Sequence, residues 1–193
     1  AQLRHGKNVW GLAVLEGGRL VSGGANNTHL RVWDPATGVN EATMVGKGYK
    51  IAALPGGRFA AAGYDTNKAA VWDPASPAHP ICEYTGHTNN VYCVASLPEN
   101  LVASGSRDRT VHIWKADTGA HVATLQGHES TVHALAVLSD GRLASGSADD
   151  TVRLWDVSNP ASAPRVLQHG CALCSVFSLA ALDGGILASG CWD

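Results

Sequence analysis

Four residues that could support nucleophilic catalysis or a structural network occur twice in this sequence, 41 residues apart. The first set is His87, Ser104, Asp108 and Trp114, and the second set is His128, Ser145, Asp149 and Trp155. A histidine, a serine and an aspartate could form a nucleophilic triad, in which the histidine accepts the proton of the attacking hydroxyl. Catalysis needs one such site, whereas a structural network can be repeated. The duplication therefore favours a structural role, and we predict that the chain is not an enzyme.

A second candidate for chemistry is the segment HGCALC, in which Cys171 and Cys174 form a C-x-x-C pair beside His169. A structural zinc ion needs four ligands in tetrahedral geometry. No second pair follows, although Cys191 could approach, and haem attachment would require a histidine where Ser175 stands. We therefore predict no metal site and no cofactor, and we interpret these residues as ordinary buried or loop cysteines.

The composition excludes several classes of partner. Hydrophobic residues make up 45% of the chain and charged residues 16%, and the net charge of −2 provides no basic field for nucleic acid. The longest uncharged apolar run, residues 171–182, is shorter than the roughly 20 residues of a membrane-spanning helix. Five cysteines, an odd number, do not indicate a disulfide framework. We expect an intracellular protein, in the cytoplasm, that binds neither nucleic acid nor membranes.

The candidate residues lie within a longer repeat. Trp33, Trp72, Trp114 and Trp155 are separated by 39, 42 and 41 residues, within matching frames such as VASGSRDRTVHIWK and LASGSADDTVRLWD. Short alternating apolar segments such as VYCVASL and VHALAVL precede these frames, and glycine-rich turns separate them. Alternation with such turns predicts antiparallel strands, four in each repeat. We predict an all-β chain.

These repeats resemble the WD40 family of β-propellers, in which each four-stranded sheet forms one blade around a central channel. The resemblance implies about 4.7 blades, with repeats at about 5–45, 46–86, 87–127 and 128–170 and a partial repeat at 171–193. Propellers close with complete blades. We therefore expect the chain to be part of a longer propeller of about seven blades, or to complete its ring with another chain as a homo-oligomer.

The resemblance also assigns the repeated His, Ser, Asp and Trp residues to a structural tetrad inside the blade. The first repeat departs from this pattern because Asn26 replaces the aspartate, and the second repeat has Ala61 in place of the serine and no matching histidine. A buried polar group without a partner costs about 1 to 3 kcal/mol. We therefore expect the first two blades to be weaker than the third and fourth.

The final segment, LASGCWD, aligns with LASGSAD, so Trp192 occupies the position of Ala148 and is not a tetrad tryptophan. WD40 proteins generally bind partners at one end of the propeller, through residues beside the turn aspartate and at the start of each innermost strand. The resemblance implies this role for Trp10, Tyr49, Tyr64, Tyr92, Arg107, His133, Phe177 and Trp192.

Most of these side chains are large and planar, as in many binding hot spots. We predict a scaffold that binds a partner protein or peptide through this aromatic face. Two alternatives remain: the aromatic side chains fill the central channel or pack between blades, or the segment is a structural unit that self-associates.

Overall fold

The structure, a computed structural model, describes residues 8–24, 29–168 and 175–192, the last of these without the side chain of Trp192. Within these ranges, the regular structure is β-strand apart from two 3-10 turns, Pro55–Gly57 and Asp183–Gly185. The alternating apolar segments form strands, and turns with glycine at positive φ, such as Gly17 and Gly141, separate one strand from the next. The prediction of an all-β chain is confirmed.

The strands form five antiparallel sheets in chain order, which we call blades 1 to 5. Blades 1 and 2 contain β1 (Gly11–Val14), β2 (Leu20–Gly23), β3 (His29–Trp33) and β4 (Asn40–Val45), and β5 (Ile51–Ala53), β6 (Phe59–Ala62), β7 (Ala69–Trp72) and β8 (Cys82–Tyr84). Blades 3 and 4 contain β9 (Val91–Leu97), β10 (Leu101–Ser106), β11 (Val111–Lys115) and β12 (His121–Leu125), and β13 (Val132–Val137), β14 (Leu143–Ser147), β15 (Thr151–Trp155) and β16 (Arg165–Gln168). Blade 5 has two described strands, β17 (Ser175–Leu182) and β18 (Ile186–Trp192).

The blades are arranged radially, because the first strand of each blade contacts the first strand of the next. Contacts join β1 to β5, β5 to β9, β9 to β13 and β13 to β17. Blades 1 to 4 are meanders, so their second, third and fourth strands follow in order toward the outside, and in blade 5 the described β18 lies outside β17. This arrangement is that of a propeller, and the predicted fold class is confirmed.

The hydrophobic core lies between successive blades. Tyr84 and Val71 of blade 2 pack with Val102 and Trp114 of blade 3, and similar clusters join the other neighbouring blades. Phe59 and Trp114 are fully buried. Burial of one large apolar side chain contributes about 1.5 to 3 kcal/mol, so the clusters between the blades fix the angle at which each sheet presents its inner strand.

Candidate functional site

The predicted tetrad of blade 3 forms one chain of hydrogen bonds. The indole Nε1 of Trp114 donates to Ser104 Oγ at 3.1 Å, and Ser104 Oγ lies 2.8 Å from His87 Nε2. His87 Nδ1 lies 2.8 Å from Asp108 Oδ2. Because an indole can only donate and a carboxylate can only accept, Trp114 Nε1–H donates to Ser104 Oγ and His87 Nδ1–H donates to Asp108; when the imidazole is neutral, the Ser104 hydroxyl donates to Nε2.

Blade 4 repeats this chain with the matching residues. Trp155 Nε1 donates to Ser145 Oγ at 2.7 Å, and Ser145 Oγ lies 2.6 Å from His128 Nε2. His128 Nδ1 lies 2.8 Å from Asp149 Oδ2. Strand β14 carries the serine and β15 the tryptophan, so the chain of hydrogen bonds joins adjacent strands of one blade to the loop that enters it.

The two aspartates are held ionised by these contacts. Burial raises the pKa of Asp108, but hydrogen bonds from His87 and Thr110 lower it by more, so the pKa lies well below its ordinary value. The pKa of Asp149 is lowered in the same way by Thr151, the backbone N–H of Glu129 and His128. Both serines are fully buried, and each hydroxyl lies within hydrogen-bond distance of an indole N–H and an imidazole nitrogen. A substrate therefore cannot reach the hydroxyl in this arrangement.

Blades 1 and 2 keep only parts of the tetrad. In blade 1, Trp33 Nε1 donates to Ser22 Oγ at 2.7 Å, and the predicted departure at Asn26 lies outside the described residues. In blade 2, Ala61 offers no hydroxyl, and the buried Nε1 of Trp72 has no hydrogen-bond partner in the described part of the chain. Asp65 pairs instead with Lys47, at 3.8 Å.

A β-bulge sets the orientation of three of the predicted face residues. Tyr92, His133 and Phe177 each stand where the register shifts between the innermost strand and the second strand of the blade. Each is the extra residue on its strand, and a bulge redirects such a side chain out of the regular alternation. The same local structure in blades 3, 4 and 5 therefore presents a planar side chain at one end of the propeller.

The predicted aromatic residues form a continuous line of ring contacts across all five blades. Neighbouring ring centroids are 4.3 to 5.6 Å apart in every contact. The line runs in the order Trp10, Tyr49, Tyr64, Tyr92, His133 and Phe177, with an additional contact between Tyr49 and Tyr92. We call these six residues the aromatic face.

The aromatic face is partly accessible. Trp10 is 53% exposed, and the other five residues are half-buried. Burial raises the pKa of Tyr49 and of Tyr92, which keeps both phenols neutral. A cavity of about 200 Å³ lies between the inner strands, lined in part by His133, Phe177 and Lys50. The face therefore combines exposed ring surface with a pocket beside it.

The structure places the two remaining predicted face residues as follows. Arg107 is exposed, its backbone N–H donates to Asn90 O at 2.9 Å, and its charge lowers the pKa of Tyr92 against the effect of burial. Trp192 pairs with Ser175 in the backbone register of blade 5, one residue beyond the pair of Val176 and Cys191. In blade 4 the backbone N–H of Ala148 donates to Thr131 O at the equivalent position, which agrees with the alignment of Trp192 with Ala148. The structure does not describe the side chain of Trp192.

Sequence patterns did not reveal a cluster of polar rings between blades 2 and 3. The hydroxyl of Tyr84 lies 2.6 Å from His112 Nδ1 and 2.9 Å from His121 Nδ1, and His112 stacks on His87 at 4.1 Å. Burial, with the charge of His87, lowers the pKa of His112 to about 4. Only the position of His112 opposite Ser104 in the register could have indicated this role, and that position holds arginine in blades 1 and 4.

The remaining candidate for chemistry, His169 with Cys171 and Cys174, lies outside the residues that the structure describes. Cys82, Cys93 and Cys191 are free thiols. Over residues 8–24, 29–168 and 175–192, no group of three or more His, Cys, Asp or Glu side chains is placed to hold a metal ion. In the same ranges, none of the helical segments has the length and apolar character of a membrane span.

Comparison with known proteins agrees with this architecture. The family model for the WD domain, G-beta repeat, matches residues 78–115 and 119–156. Probable E3 ubiquitin ligase complex SCF subunits sconB from Arthroderma benhamiae and Aspergillus terreus are each 43% identical over 42 residues. These matches cover 22% of this chain and only 6% of the length of each relative.

A crystal structure described as the WD40 β-propeller domain of Doa1 superimposes with a TM-score of 0.84 and 24% sequence identity. The match covers 98% of this chain and 62% of that chain. At this identity the likeness concerns the fold, and it extends the propeller beyond the two matched repeats to the whole described chain. Residues 78–115 and 119–156 are thus matched as WD40 repeats, and the described chain as a whole has the fold of a WD40 β-propeller.

Proposed function

We propose that this protein is a non-catalytic scaffold that binds a partner protein or peptide through the aromatic face. The observation that carries the proposal is the unbroken line of ring contacts from Trp10 to Phe177. Aromatic side chains and arginine dominate binding hot spots because they bury a large area with little loss of conformational entropy. Arg107 lies at the same end, next to Tyr92.

The ring contacts also favour binding over channel filling. Rings that pack against each other are already ordered, so a partner that covers them causes little further loss of side-chain entropy. Their half-buried state leaves ring surface for contact, and the cavity beside His133 and Phe177 could receive a protruding side chain. The relatives that match part of this chain are named as subunits of an E3 ubiquitin ligase complex, and this name supports a protein partner and an intracellular location.

The proposal of no enzymatic activity rests on the tetrads. Ser104 and Ser145 are fully buried, and each hydroxyl lies within hydrogen-bond distance of both an indole N–H and an imidazole nitrogen. A nucleophilic serine needs an accessible oxygen that can approach the substrate. We expect no hydrolysis of ester or peptide substrates that depends on either residue.

The experiment for the scaffold proposal is affinity capture from a cell extract with quantitative mass spectrometry. The tagged wild-type chain is compared with Tyr92→Ala and Arg107→Ala, and with Asn159→Ala as a control in the turn after β15 at the opposite end of blade 4. We expect a set of proteins that both face variants lose and the control retains. If the same proteins are captured by all four forms, the aromatic face is not the binding surface.

A second role is favoured by apolar side chains on the outer faces of blades 1 and 5. Leu12 and Val14 are 61% and 63% exposed, on the side of β1 opposite Ala13, which packs against blade 2. Leu182 and Ile186 are 51% and 60% exposed, on the side of blade 5 opposite Leu179. Exposed apolar patches mark interaction surfaces.

We propose that these outer faces pack against further blades, supplied by a longer polypeptide or by a second chain. Light scattering on this chain separates the two sources. A mass above 20.0 kDa that falls when Leu12 and Val14 are replaced by serine supports a second chain. A 20.0 kDa particle at every concentration contradicts a second copy of this chain as the source and favours a longer polypeptide.

A further inference from the structure

The cavity of about 200 Å³ at the aromatic face lies in the central channel, between the innermost strands of blades 2 to 5. Its volume is below the roughly 300 to 1,000 Å³ of pockets for drug-sized ligands, so it has room for one amino-acid side chain and not for a cofactor. Its walls include apolar side chains and two rings, which belong to Ile51, Val94, Leu135, Leu179, His133 and Phe177.

Lys50 is the one side chain among the described lining residues that carries a charge at neutral pH. Burial lowers the pKa of His133, which keeps its imidazole neutral. Burial raises the pKa of the Cys93 thiol to about 12, and the charge of Lys50 acts against this effect, so the ammonium lies near a thiol of the cavity wall. Lys50 is exposed, and no acidic side chain in the described part of the chain forms an ion pair with it.

A second cation stands at the rim of the same surface. Arg107 is exposed, and within the described ranges its guanidinium forms no ion pair. Its charge reaches Tyr92 on β9, and the charge of Lys50 reaches the next residue of that strand. On blade 4, Glu129 and Asp150 carry the opposite charge in loops at this end of the propeller. The unpaired positive charge therefore lies at blades 2 and 3.

A partner that covers the aromatic face also covers the mouth of this channel, because Tyr49 directly precedes Lys50 and Phe177 lines the cavity. Covering takes the Lys50 ammonium out of water, and a buried charge without a partner is strongly unfavourable. A basic side chain in the cavity adds repulsion, and an apolar side chain leaves the charge uncompensated. An acidic side chain both fills the space and neutralises the ammonium.

We propose, on the basis of the scaffold function above, that the partner is an acidic peptide segment that places one glutamate or aspartate carboxylate in the channel cavity beside Lys50. The residues on either side of this acidic residue lie on the aromatic face, and the part next to blade 3 passes Arg107. A carboxylate has one negative charge, which one lysine balances, whereas a phosphate group carries about −1.5 to −2 at neutral pH. The cavity therefore favours a carboxylate over a phosphate.

The test begins with the selection of peptides from a display library of random sequences on the purified wild-type chain. We expect the selected peptides to be enriched in Asp or Glu at one fixed position, with apolar or aromatic residues beside it. One selected peptide, with a fluorescent label, then gives dissociation constants by anisotropy. Lys50→Met keeps the length of the side chain and removes the charge, so it should weaken binding at least about tenfold.

Lys115→Met is the matched control, since Lys115 is exposed at the end of β11 opposite the aromatic face. It should change the affinity of the peptide by less than about twofold. Lys50 is exposed, so Lys50→Met should keep the wild-type thermal unfolding curve. Raising the sodium chloride concentration from about 0.05 M to about 0.5 M should weaken the wild type more than Lys50→Met, because salt screens the paired charges.

A double-mutant cycle identifies the carboxylate. Replacing the acidic residue of the peptide by its amide should weaken binding to the wild type at least about tenfold and binding to Lys50→Met by less than about twofold, because the opposite charge is already absent there. Selected peptides without acidic enrichment, an equal loss from the amide in both forms, or tighter binding of a phosphoserine version of the peptide would each overturn the proposal.

Tyr92→Ala separates this proposal from the scaffold function on which it rests. We expect it to weaken the selected peptide as well, because the peptide also lies on the aromatic face. If binding depends on Tyr92 but the selected peptides carry no acidic residue, the aromatic face is the binding surface and the acidic partner is wrong. If binding depends on Lys50 but not on Tyr92, the cavity binds the acidic residue and the assignment of the aromatic face is wrong.

Discussion

His133 of blade 4 stacks on Phe177 of blade 5, with ring centroids 4.3 Å apart and ring planes inclined by 21°. Each ring belongs to the extra residue of a bulge in the innermost strand of its blade. The bulge directs each side chain toward the same end of the propeller, and the angle between the blades brings the two rings into contact. A feature repeated in blades 3, 4 and 5 thus produces a surface that extends across blades.

The stacked pair should contribute to stability as a coupled unit. We expect the double-mutant cycle of His133→Ala and Phe177→Ala to give a coupling free energy of about 0.5 to 1.5 kcal/mol, because aromatic pairs are worth this much beyond their buried area. Denaturant unfolding of the four forms measures the coupling. Trp10→Ala with Phe177→Ala serves as the control pair, since these rings stand at opposite ends of the line. Equal coupling in both cycles would exclude a specific contribution of the stacked rings.

His128→Ala should lower the free energy of unfolding by roughly 1 to 3 kcal/mol, because it removes the buried hydrogen bonds of His128 to Ser145 and to Asp149 inside blade 4. Chemical denaturation, followed by tryptophan fluorescence, gives the value. His79→Ala is the matched control, since His79 is exposed in the loop before β8. A denaturation curve for His128→Ala that coincides with that of His79→Ala would contradict the structural role of the tetrad.

The unpartnered indole in blade 2 predicts a difference between two identical substitutions. Trp155→Phe removes a hydrogen bond to Ser145, whereas Trp72→Phe removes an N–H group that has no partner in the described chain. Both remove the same ring atoms. We expect Trp155→Phe to cost about 1 kcal/mol or more beyond Trp72→Phe in the free energy of unfolding. Equal losses would show that the indole hydrogen bond contributes nothing measurable.

Acid should destabilise the protein partly through His112. Its pKa in the folded chain is about 4, below the ordinary 6.5, because burial and the neighbouring His87 and His121 disfavour the imidazolium, with Asp108 acting in the opposite direction. The unfolded chain therefore binds this proton more readily. The contribution of neutral His112 to stability is complete above pH 6.5 and is lost as the pH falls toward 4.

His112→Asn keeps a hydrogen-bonding group close to the hydroxyl of Tyr84 and removes the titration. Between about pH 7 and pH 4.5, the variant should lose about 1 kcal/mol less unfolding free energy than the wild type. His79→Asn, at an exposed position, should follow the wild-type pH dependence. A pH profile of His112→Asn parallel to that of the wild type would assign the acid sensitivity to other groups.

Much of the fold could be predicted because each repeat carries its own landmarks. The spacing of Trp114 and Trp155, with the serines and histidines before them, marks the strands and the turn in each blade. Phe59 and Tyr84 are buried at the positions where blade 4 has Leu143 and blade 3 has Leu125. Blade 5 has two described strands, and the predicted boundaries of the repeats stay a prediction.

The chemistry between blades was harder to predict, because it depends on positions that vary from one repeat to the next. Ala61 indicated that Trp72 would lose its acceptor, and the structure shows this. The cavity of about 300 Å³ beside Trp72, however, is also lined by Ala70, which pairs with Ala61, and by Gly46, which lies against the indole. These residues become neighbours only through the strand register and through the loop that enters the blade. The contact of Tyr84 with His112 and His121 joins two blades, and no periodic pattern records it.

Binding experiments need a control substitution at the end of the propeller opposite the aromatic face. Asp117 lies at that end, but it is unsuitable as a control. Its carboxylate accepts from Arg58 at 2.8 Å and from the side chain of Asn100, so it joins blade 2 to blade 3. Replacing it would change stability as well as surface chemistry. Asn159 is exposed at the same end, and the only bonds described for it involve its backbone. Asn159→Ala is therefore the better comparison for binding studies.

The most direct test of the scaffold proposal is the dissociation constant of a captured partner, measured by calorimetry with the wild type, Tyr92→Ala and Asn159→Ala. Removal of a central hot-spot ring costs about 2 kcal/mol or more, which corresponds to roughly 30-fold weaker binding. We predict a loss of this size for Tyr92→Ala and a change of less than about twofold for Asn159→Ala. Unchanged affinity of Tyr92→Ala, in a variant that keeps the wild-type fold, would contradict the assignment of the aromatic face as the binding surface.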